Sequence, residues 1–392
     1  MKRILFILSF ILFLTGCAGK REINDLAIVM AVGIDKADDG QVEITVQVVR
    51  PADSRGQTGA PSGQTGDPIW AASSTGQTLF EAIRNLSTFS SRRVFWAHNY
   101  AIVISEDYAK EGIQEVVDFF TRNPELRMRT WVMVTPEKAS EIVSTLSGIE
   151  VIPGEAINKL FRYTGVSVQA PRTQMIDLQA ALADKSTEPV VARVQFINKG
   201  VSNKKPGQAG SIKQIELAGA GVFKGEKMVS VIEPKEMKGL LPFIEKPETG
   251  MMVLVCPDDE KKKISLELVN QRFKVTPNVR ENQPVFTVDY SVIGSLVESP
   301  CAFTIKNTSQ MKDLEKQVEA QLKNHVERVV KIAQSETKSD FLHLGEIFHN
   351  QFPVEWRKLE KNWEIVFPDV LVEVKTTAEI NDSSLLFKPA KK

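Results

Sequence analysis

Lys2 and Arg3 are followed by an apolar run from Ile4 to Leu14, and Leu14-Thr15-Gly16-Cys17 closes it. A short basic start ahead of an apolar run too short to span a bilayer reads as an export signal, not as a transmembrane helix. Its ending has the form of a lipobox: Leu, a small residue, Gly and then Cys. The Cys is required chemically. Its thiolate becomes a thioether to diacylglycerol, and its amino group becomes the new N-terminus after cleavage, open to N-acylation. Residues 1–16 are therefore expected to be a lipoprotein signal peptide and Cys17 the lipidation site, an S-diacylglycerol cysteine. The mature chain is expected on the outer face of a bacterial membrane. Whatever it folds into must fold outside the bilayer with its first residue pinned there, and one diacyl anchor supplies the two chains that stable attachment needs.

The remainder is long enough for two or three domains. Hydrophobic content of 42% and charged content of 25% are ordinary for a globular chain, so a packed core is expected. Lys plus Arg equals Asp plus Glu, 49 each. That balance argues against a general nucleic-acid binder and against attachment to anionic lipid by charge alone. Cys256 and Cys301 each sit beside a proline on an expected strand. They read as separate buried thiols acting as small hydrophobes. Pairing in an exported chain is the alternative, and two cysteines are too few for a disulfide scaffold either way.

Ala27–Asp35 and the alternating Val42, Ile44, Val46 and Val48 read as strand, turn and strand around Asp39-Gly40. Residues 51–68 are Gly, Ser, Thr and Gln with almost nothing apolar, and read as a flexible exposed loop. Further strands are expected at 69–74, 94–104 and 129–135. Helical stripes lie between them at Leu79, Ile83 and Leu86, at Ile113, Val116, Val117 and Phe120, and at Ala139, Ile142, Val143 and Leu146. The stretch 151–183 is weakly patterned and reads as helical, 189–196 as a strand, and 198–210 as a linker or hairpin tip. A hairpin over 212–223 and 228–232 follows. The last third opens with strands at 251–256, 264–269, 273–277 and 285–293. A long helix from about Ser309 to Ser335, with Leu314, Val318, Leu322, Val326 and Val329 as its buried stripe, comes next. Two short helices carrying Trp356 and Trp363 lead to a final strand at Val370, Val372 and Val374. The fold class is α+β: mixed-sheet units with a long C-terminal helix packed on a sheet. The expected division is an N-terminal mixed α/β domain over 17–150 with its loop at 51–68, a middle domain over 151–235 and a C-terminal α+β domain over 236–385.

Residues able to carry chemistry are few. His343, Glu346 and His349 are spaced H-x-x-E-x-x-H, which steps around a helix instead of returning to one face, so helix packing is the expected role. His98-Asn99 is expected to be structural. Gly219, Gly221 and Gly225 are followed by a strand pattern, where a phosphate loop needs a helix N-terminus. No nucleophile elbow or Walker A pattern occurs. Trp356 and Trp363, at helical spacing near Leu359 and Phe367, read as core or interface anchors. No catalytic, cofactor-binding or metal-binding residue is expected, and Cys17 is the one site residue.

After the lipobox, Arg21-Glu22-Ile23-Asn24-Asp25-Leu26-Ala27-Ile28-Val29 and Val32-Gly33-Ile34-Asp35 resemble the start of the Ger(x)C family of spore germination lipoproteins. The likeness continues through Gly76-Gln77-Thr78-Leu79 and the run Asp118–Arg127. It extends to Gly219–Lys224, Pro284-Val285-Phe286 and the pair Trp356 and Trp363, in order over nearly the whole chain. Ala18-Gly19 stand where the family usually carries Trp-Asp after the lipid-bearing Cys; only the Cys is acylated, so lipidation is untouched. The resemblance implies a non-enzymatic C subunit of a nutrient germinant receptor that works with two integral membrane subunits, A and B, in the spore inner membrane. It implies an elongated body of three small mixed α/β domains and transfers a functional role to Cys17 alone. The competing readings are a solute-binding lipoprotein, which needs two similar lobes around a cleft, and a lipid-anchored hydrolase, which needs a convergent acid/base or nucleophile set.

Overall fold

The computed structural model describes residues 22, 25–50, 69–145, 150, 152–162, 168–198, 213–246, 249–301 and 308–381. Cys17, the loop expected at 51–68 and residues 199–210 lie outside the described residues. Two mixed sheets carry the α+β fold. The first is built from β1 (Leu26–Lys36), β2 (Val42–Val49), β3 (Ile69–Gly76), β4 (Arg93–Phe95), β5 (Ala101–Ser105), β6 (Trp131–Thr135), β7 (Val190–Asn198), β8 (Lys213–Lys224) and β9 (Lys227–Ile232). Its order is β3-β2-β1-β5-β6-β7-β8-β9, with β4 paired to the start of β1. The strands expected on either side of residue 150 thus lie in one sheet. The centre, β1-β5-β6-β7, is parallel, and the hairpin strands at both ends are antiparallel.

Both faces of this centre are covered, which is why its strands are apolar without alternation. Ile102, Ile104, Val132 and Val134 point into one core with Val116 and Phe120; Ala101, Val103 and Met133 point into another with Ile142 and Phe161. The covering helices are α1 (Leu79–Leu86), α2 (Glu106–Glu111), α3 (Gln114–Arg122), α4 (Ala139–Ser144), α5 (Pro153–Arg162) and α6 (Met175–Ala183). The single strand expected at 94–104 is two. A turn at 96–99, closed by the Asn99 N–H to the Trp96 carbonyl at 2.9 Å, sends β4 to the entry of β1 and β5 to its middle.

The second sheet, β10-β11-β12-β13, contains β10 (Gly250–Cys256), β11 (Asp259–Arg280), β12 (Gln283–Glu298) and β13 (Leu371–Asn381). The two strands expected at 264–269 and 273–277 are one strand, β11, whose register shifts between Leu268 and Asn270; the break in the apolar pattern is a bulge. The inner face receives α7 (Met237–Ile244), the long α8 (Thr308–Lys331), α9 (Leu344–Gln351), α10 (Pro353–Leu359) and α11 (Trp363–Val366). Leu314, Val318, Leu322, Val326 and Val329, the expected stripe of α8, are all buried. Cys256 and Cys301 are bonded to each other, with Cα atoms 5.9 Å apart, so the separate-thiol reading is corrected. Cys256 ends β10, and Cys301 lies just past β12 of the same sheet, a proximity that the sequence separation of 45 hides.

Leu322 is 2% exposed beneath the second sheet. Leu322→Asp places an unpaired charge there and is expected to lower the unfolding free energy by about 3–5 kcal/mol in a urea titration. A midpoint within error of wild type would show that this stripe is not the core of the C-terminal sheet.

Candidate functional site

The quoted sequence stretches divide into those that build the fold and those that reach a surface. Gly33 lies against the start of α4, where an added Cβ would stand 2.8 Å from the Ala139 carbonyl carbon. Two residues on, the buried Asp35 accepts from the Ala139 and Ser140 N–H groups, each at 2.8 Å, and so holds the N-terminus of α4 on the sheet. Gly219 has φ +91°, and a Cβ there would meet the Ile232 carbonyl oxygen at 2.0 Å. The first glycine lets a helix approach the sheet closely and the second lets β8 and β9 approach each other. Trp356 and Trp363 pack edge to face, with centroids 5.2 Å apart, in the C-terminal core.

The four histidines have structural partners or surface positions. His343 Nδ1 lies 2.9 Å from a Glu346 carboxylate oxygen, while His349 stacks on Trp356 at 5.5 Å, so H-x-x-E-x-x-H does not converge. His98 is exposed in the turn after β4, its ring 6.5 Å from that of Phe95. His325 is half-buried beside Lys238, and burial pushes its pKa down, as it does that of Lys238. Both line a cavity of about 50 Å³ with Leu241, Tyr290 and Leu322, room for a few waters and not for a nutrient-sized ligand. Among the described residues one cluster has metal-like spacing, Cys256, Asp258 and Cys301, and its two sulfurs are bonded to each other.

A second buried carboxylate, Asp340, stands where the first sheet meets the C-terminal helices. It is presented by a tight loop in which Lys338 and His343 both have positive φ. One carboxylate oxygen accepts from Leu344 N–H at 3.1 Å, the other from Gly345 N–H at 2.7 Å and Trp363 Nε1–H at 2.9 Å. Its carbonyl accepts from the Glu188 N–H at 3.1 Å, and the neighbouring Ser339 hydroxyl donates to the Phe223 carbonyl at 2.6 Å. Asp340 therefore organises the entry to α9 and ties it to the first sheet. Periodicity does not reveal it; the only sequence signal is an acidic residue shortly before a helix start.

Two of the stretches that carry the family likeness do converge. The Gly76–Leu79 turn enters α1 with Thr78 as N-cap, accepting from the Glu81 N–H at 3.2 Å, while the Glu81 carboxylate accepts from the Gln77 N–H at 2.7 Å. The Asp118–Arg127 run ends α3, where Asn123 turns the chain by accepting from the Glu125 N–H at 3.0 Å. Between α1 and α3 lies an open groove of about 620 Å³ floored by Val94 and Trp96. Glu125 crosses to Arg93 on β4 at 2.8 Å, and Arg122 pairs with Asp118 at 2.8 Å. β4 runs beside the first residues of β1, with Leu26 opposite Arg93, at the end of the sheet that leads back to Cys17. Cys17 itself lies outside the described residues. Among them, no helix is long and apolar enough to cross a membrane.

Residues 19–196 match the family model of the spore germination protein N-terminal domain, and residues 218–384 that of the spore germination B3/GerAC-like C-terminal domain. Residues 1–18 match the prokaryotic membrane lipoprotein lipid attachment site. Spore germination protein KC of Bacillus subtilis (strain 168) is 30% identical to this chain, over 99% of the chain and 97% of the relative. Spore germination protein B3 of the same strain is 24% identical, over 92% and 91%. Germination protein GerQC of Bacillus cereus is 22% identical, over 81% of each. The crystal structure of the GerBC protein shares the fold, with a TM-score of 0.54 at 20% identity, over 89% of this chain and 96% of that one.

Burial pushes the Asp340 carboxyl up from 3.8 to about 6, against three N–H donors and His343, which pull it down. The folded chain thus keeps a proton that the unfolded chain has already released. This group's contribution to stability is full below pH 3.8 and is lost as the pH rises through about 6. Compared with Asp340→Asn, wild type is expected to lose about 2–3 kcal/mol of unfolding free energy between about pH 4 and about pH 7. Parallel denaturation curves for the two proteins across that range would refute the shift.

Proposed function

We propose, because this chain belongs to the spore germination B3/GerAC-like family, that it is the lipid-anchored C subunit of a nutrient germinant receptor. It docks on two integral membrane subunits, A and B, at the outer face of the spore inner membrane and catalyses no reaction. The observation that carries this reading is the tiling of the chain: a lipid attachment site over 1–18, then two germination-protein models from 19 to 384. Cys17 bears the lipid. A folded body held this close to the bilayer gains effective concentration toward membrane-embedded partners, so modest contacts suffice.

The structure lends support from the chemistry it accounts for. His343, His349, the buried Asp340 and the two C-terminal cysteines are engaged in packing, capping and a disulfide. A solute-binding protein would need two comparable lobes. Here a nine-stranded mixed sheet covered on both faces adjoins a four-stranded sheet with one long helix, and the two are not alike.

Cys17→Ala is expected to leave an unprocessed precursor and to remove the protein from the spore inner membrane. Mass spectrometry of the mature N-terminus reads this directly, and an unmodified mature chain cleaved elsewhere would refute lipidation. Deleting the whole protein should abolish the response to one class of nutrient and spare germination by unrelated triggers. A deletion strain that responds normally to every nutrient, together with substrate turnover by the purified protein, would replace the docking role with an enzymatic one.

A further inference from the structure

The groove between α1 and α3 is an open apolar surface near the anchor. On its wall Phe80 is 55% exposed, with the Arg84 guanidinium 4.9 Å from its ring centre, and Ile83 and Phe119 are half-buried beside it. Four observations bear on what enters it.

The first is reach. Leu26, paired with Arg93 at the groove, is nine residues from Cys17. Nine residues extend at most about 30 Å, so this end of the groove stays within about that distance of the lipid-bearing residue. The second is charge. The groove is lined by Arg84, Arg93 and Arg122 and by Glu115, Asp118 and Glu125. Two of the arginines are bound to carboxylates within it. A lining with equal numbers of each sign exerts little pull on anionic headgroups. The third is shape. Val94 and Trp96 form the floor of a concavity, which a flat bilayer surface does not reach and a ridge of side chains does. The fourth is the chain's own sequence. Residues 51–68 contain no Leu, Ile, Val, Met or aromatic residue, and residues 18–24 contain only Ile23 among these types. Neither of these segments, one between β2 and β3 and one before β1 in the chain, supplies a row of side chains to fill the groove; Leu385, Leu386 and Phe387 of the C-terminal tail follow β13 of the other sheet in sequence.

We infer that the groove receives an amphipathic helix of a membrane-embedded partner subunit, one lying at the bilayer surface with Leu-, Ile- or Phe-type side chains toward Phe80 and a nearly neutral polar face. This is the helix-in-groove mode of recognition, with apolar anchors one helical turn apart. The inference rests on the docking role proposed above and adds the place and the kind of segment.

The test uses the full-length lipidated chain co-expressed with both multispanning subunits. A photo-crosslinking phenylalanine analogue is placed at Phe80 and, as a control, at Ile365, which is 74% exposed in α11. Crosslinks from position 80 to a multispanning subunit are expected, with none from position 365. Phe80→Glu should reduce co-purification with the membrane subunits about tenfold or more at an unchanged melting temperature. If wild type does not co-purify with them at all, the docking role fails and the groove assignment falls with it. If wild type co-purifies but Phe80→Glu does so equally well and position 80 gives no crosslink to a subunit, the docking role stands and the groove assignment is overturned. Crosslinks from position 80 only to lipid, or only to residues 18–24 or 51–68 of the same chain, also overturn it.

Discussion

The C-terminal half depends on how α8 meets the sheet it covers. Its buried stripe supplies the apolar contact, but its flanks do something more specific. On one flank Gln317 exchanges hydrogen bonds with the backbone of Val255, at 2.9 and 3.1 Å, and Gln321 donates to the Val253 carbonyl at 3.1 Å. On the other flank Glu319 accepts from the Ala378 N–H and Glu315 from the Ile380 N–H, both at 3.1 Å. Val253 and Val255 lie on β10 and the other two on β13, the two edges of the sheet. One helix therefore satisfies backbone groups on both edges through side chains spaced four residues apart, the spacing that returns to one face of a helix. An unpaired edge is the usual place for unwanted strand addition, and here each edge is partly occupied from within.

The two halves of the described chain are joined by backbone approaching backbone. Gly345 of α9 sits where a Cβ would be 2.4 Å from the Ser186 carbonyl oxygen, just before β7 of the first sheet. Such contacts leave no room for water, so the polar groups at the junction must find protein partners. Asp340 supplies them for Leu344, Gly345 and Trp363, and its own carbonyl receives Glu188. The apolar core follows the same line. Val190, Ala220, Val222 and Ile232 of the first sheet belong to one cluster with the C-terminal strands and helices.

Local pattern made much of this legible. The five-residue stripe of α8, the alternation in β2 and the hairpin of β8 and β9 appear in the structure where periodicity places them, because each is decided by a face meeting a core. What was not legible depends on partners far away in sequence. The apolar run 94–104 looks continuous, yet it is broken because Arg93–Phe95 and Ala101–Ser105 pair with different stretches of β1. The bulge in β11 imitates a strand end. The bond between Cys256 and Cys301 needs the sheet to be known first. Asp35 and Asp340 are invisible to hydrophobic patterning, and each caps a helix through a long-range or loop-borne contact. The candidate groove was legible only in pieces: both of its walls were picked out as family-like stretches, and nothing in either shows that they face each other across Val94 and Trp96.

These features narrow the way a partner can be held. With both edges of the C-terminal sheet engaged by α8, strand addition at that end would have to displace Gln317 and Glu319 from bonds they already make. The cavity beside Lys238 and His325, about 50 Å³, holds a few waters and is too small for a partner's large apolar side chain together with its neighbours. Asp340 and its neighbours are committed to the junction. The groove between α1 and α3 differs in each respect. It is open, its charges already balance, and its apolar side chains are exposed without any helix or strand of the described chain over them. Burying a half-exposed phenylalanine and its neighbours under a partner helix would release apolar surface from water at the end of the sheet where β1, the first strand after Cys17 in the chain, begins. On the proposed reading the anchor and the groove act in series: a lipid on Cys17 would remove most of the translational freedom that binding otherwise costs, and a contact of modest area would be enough to set orientation.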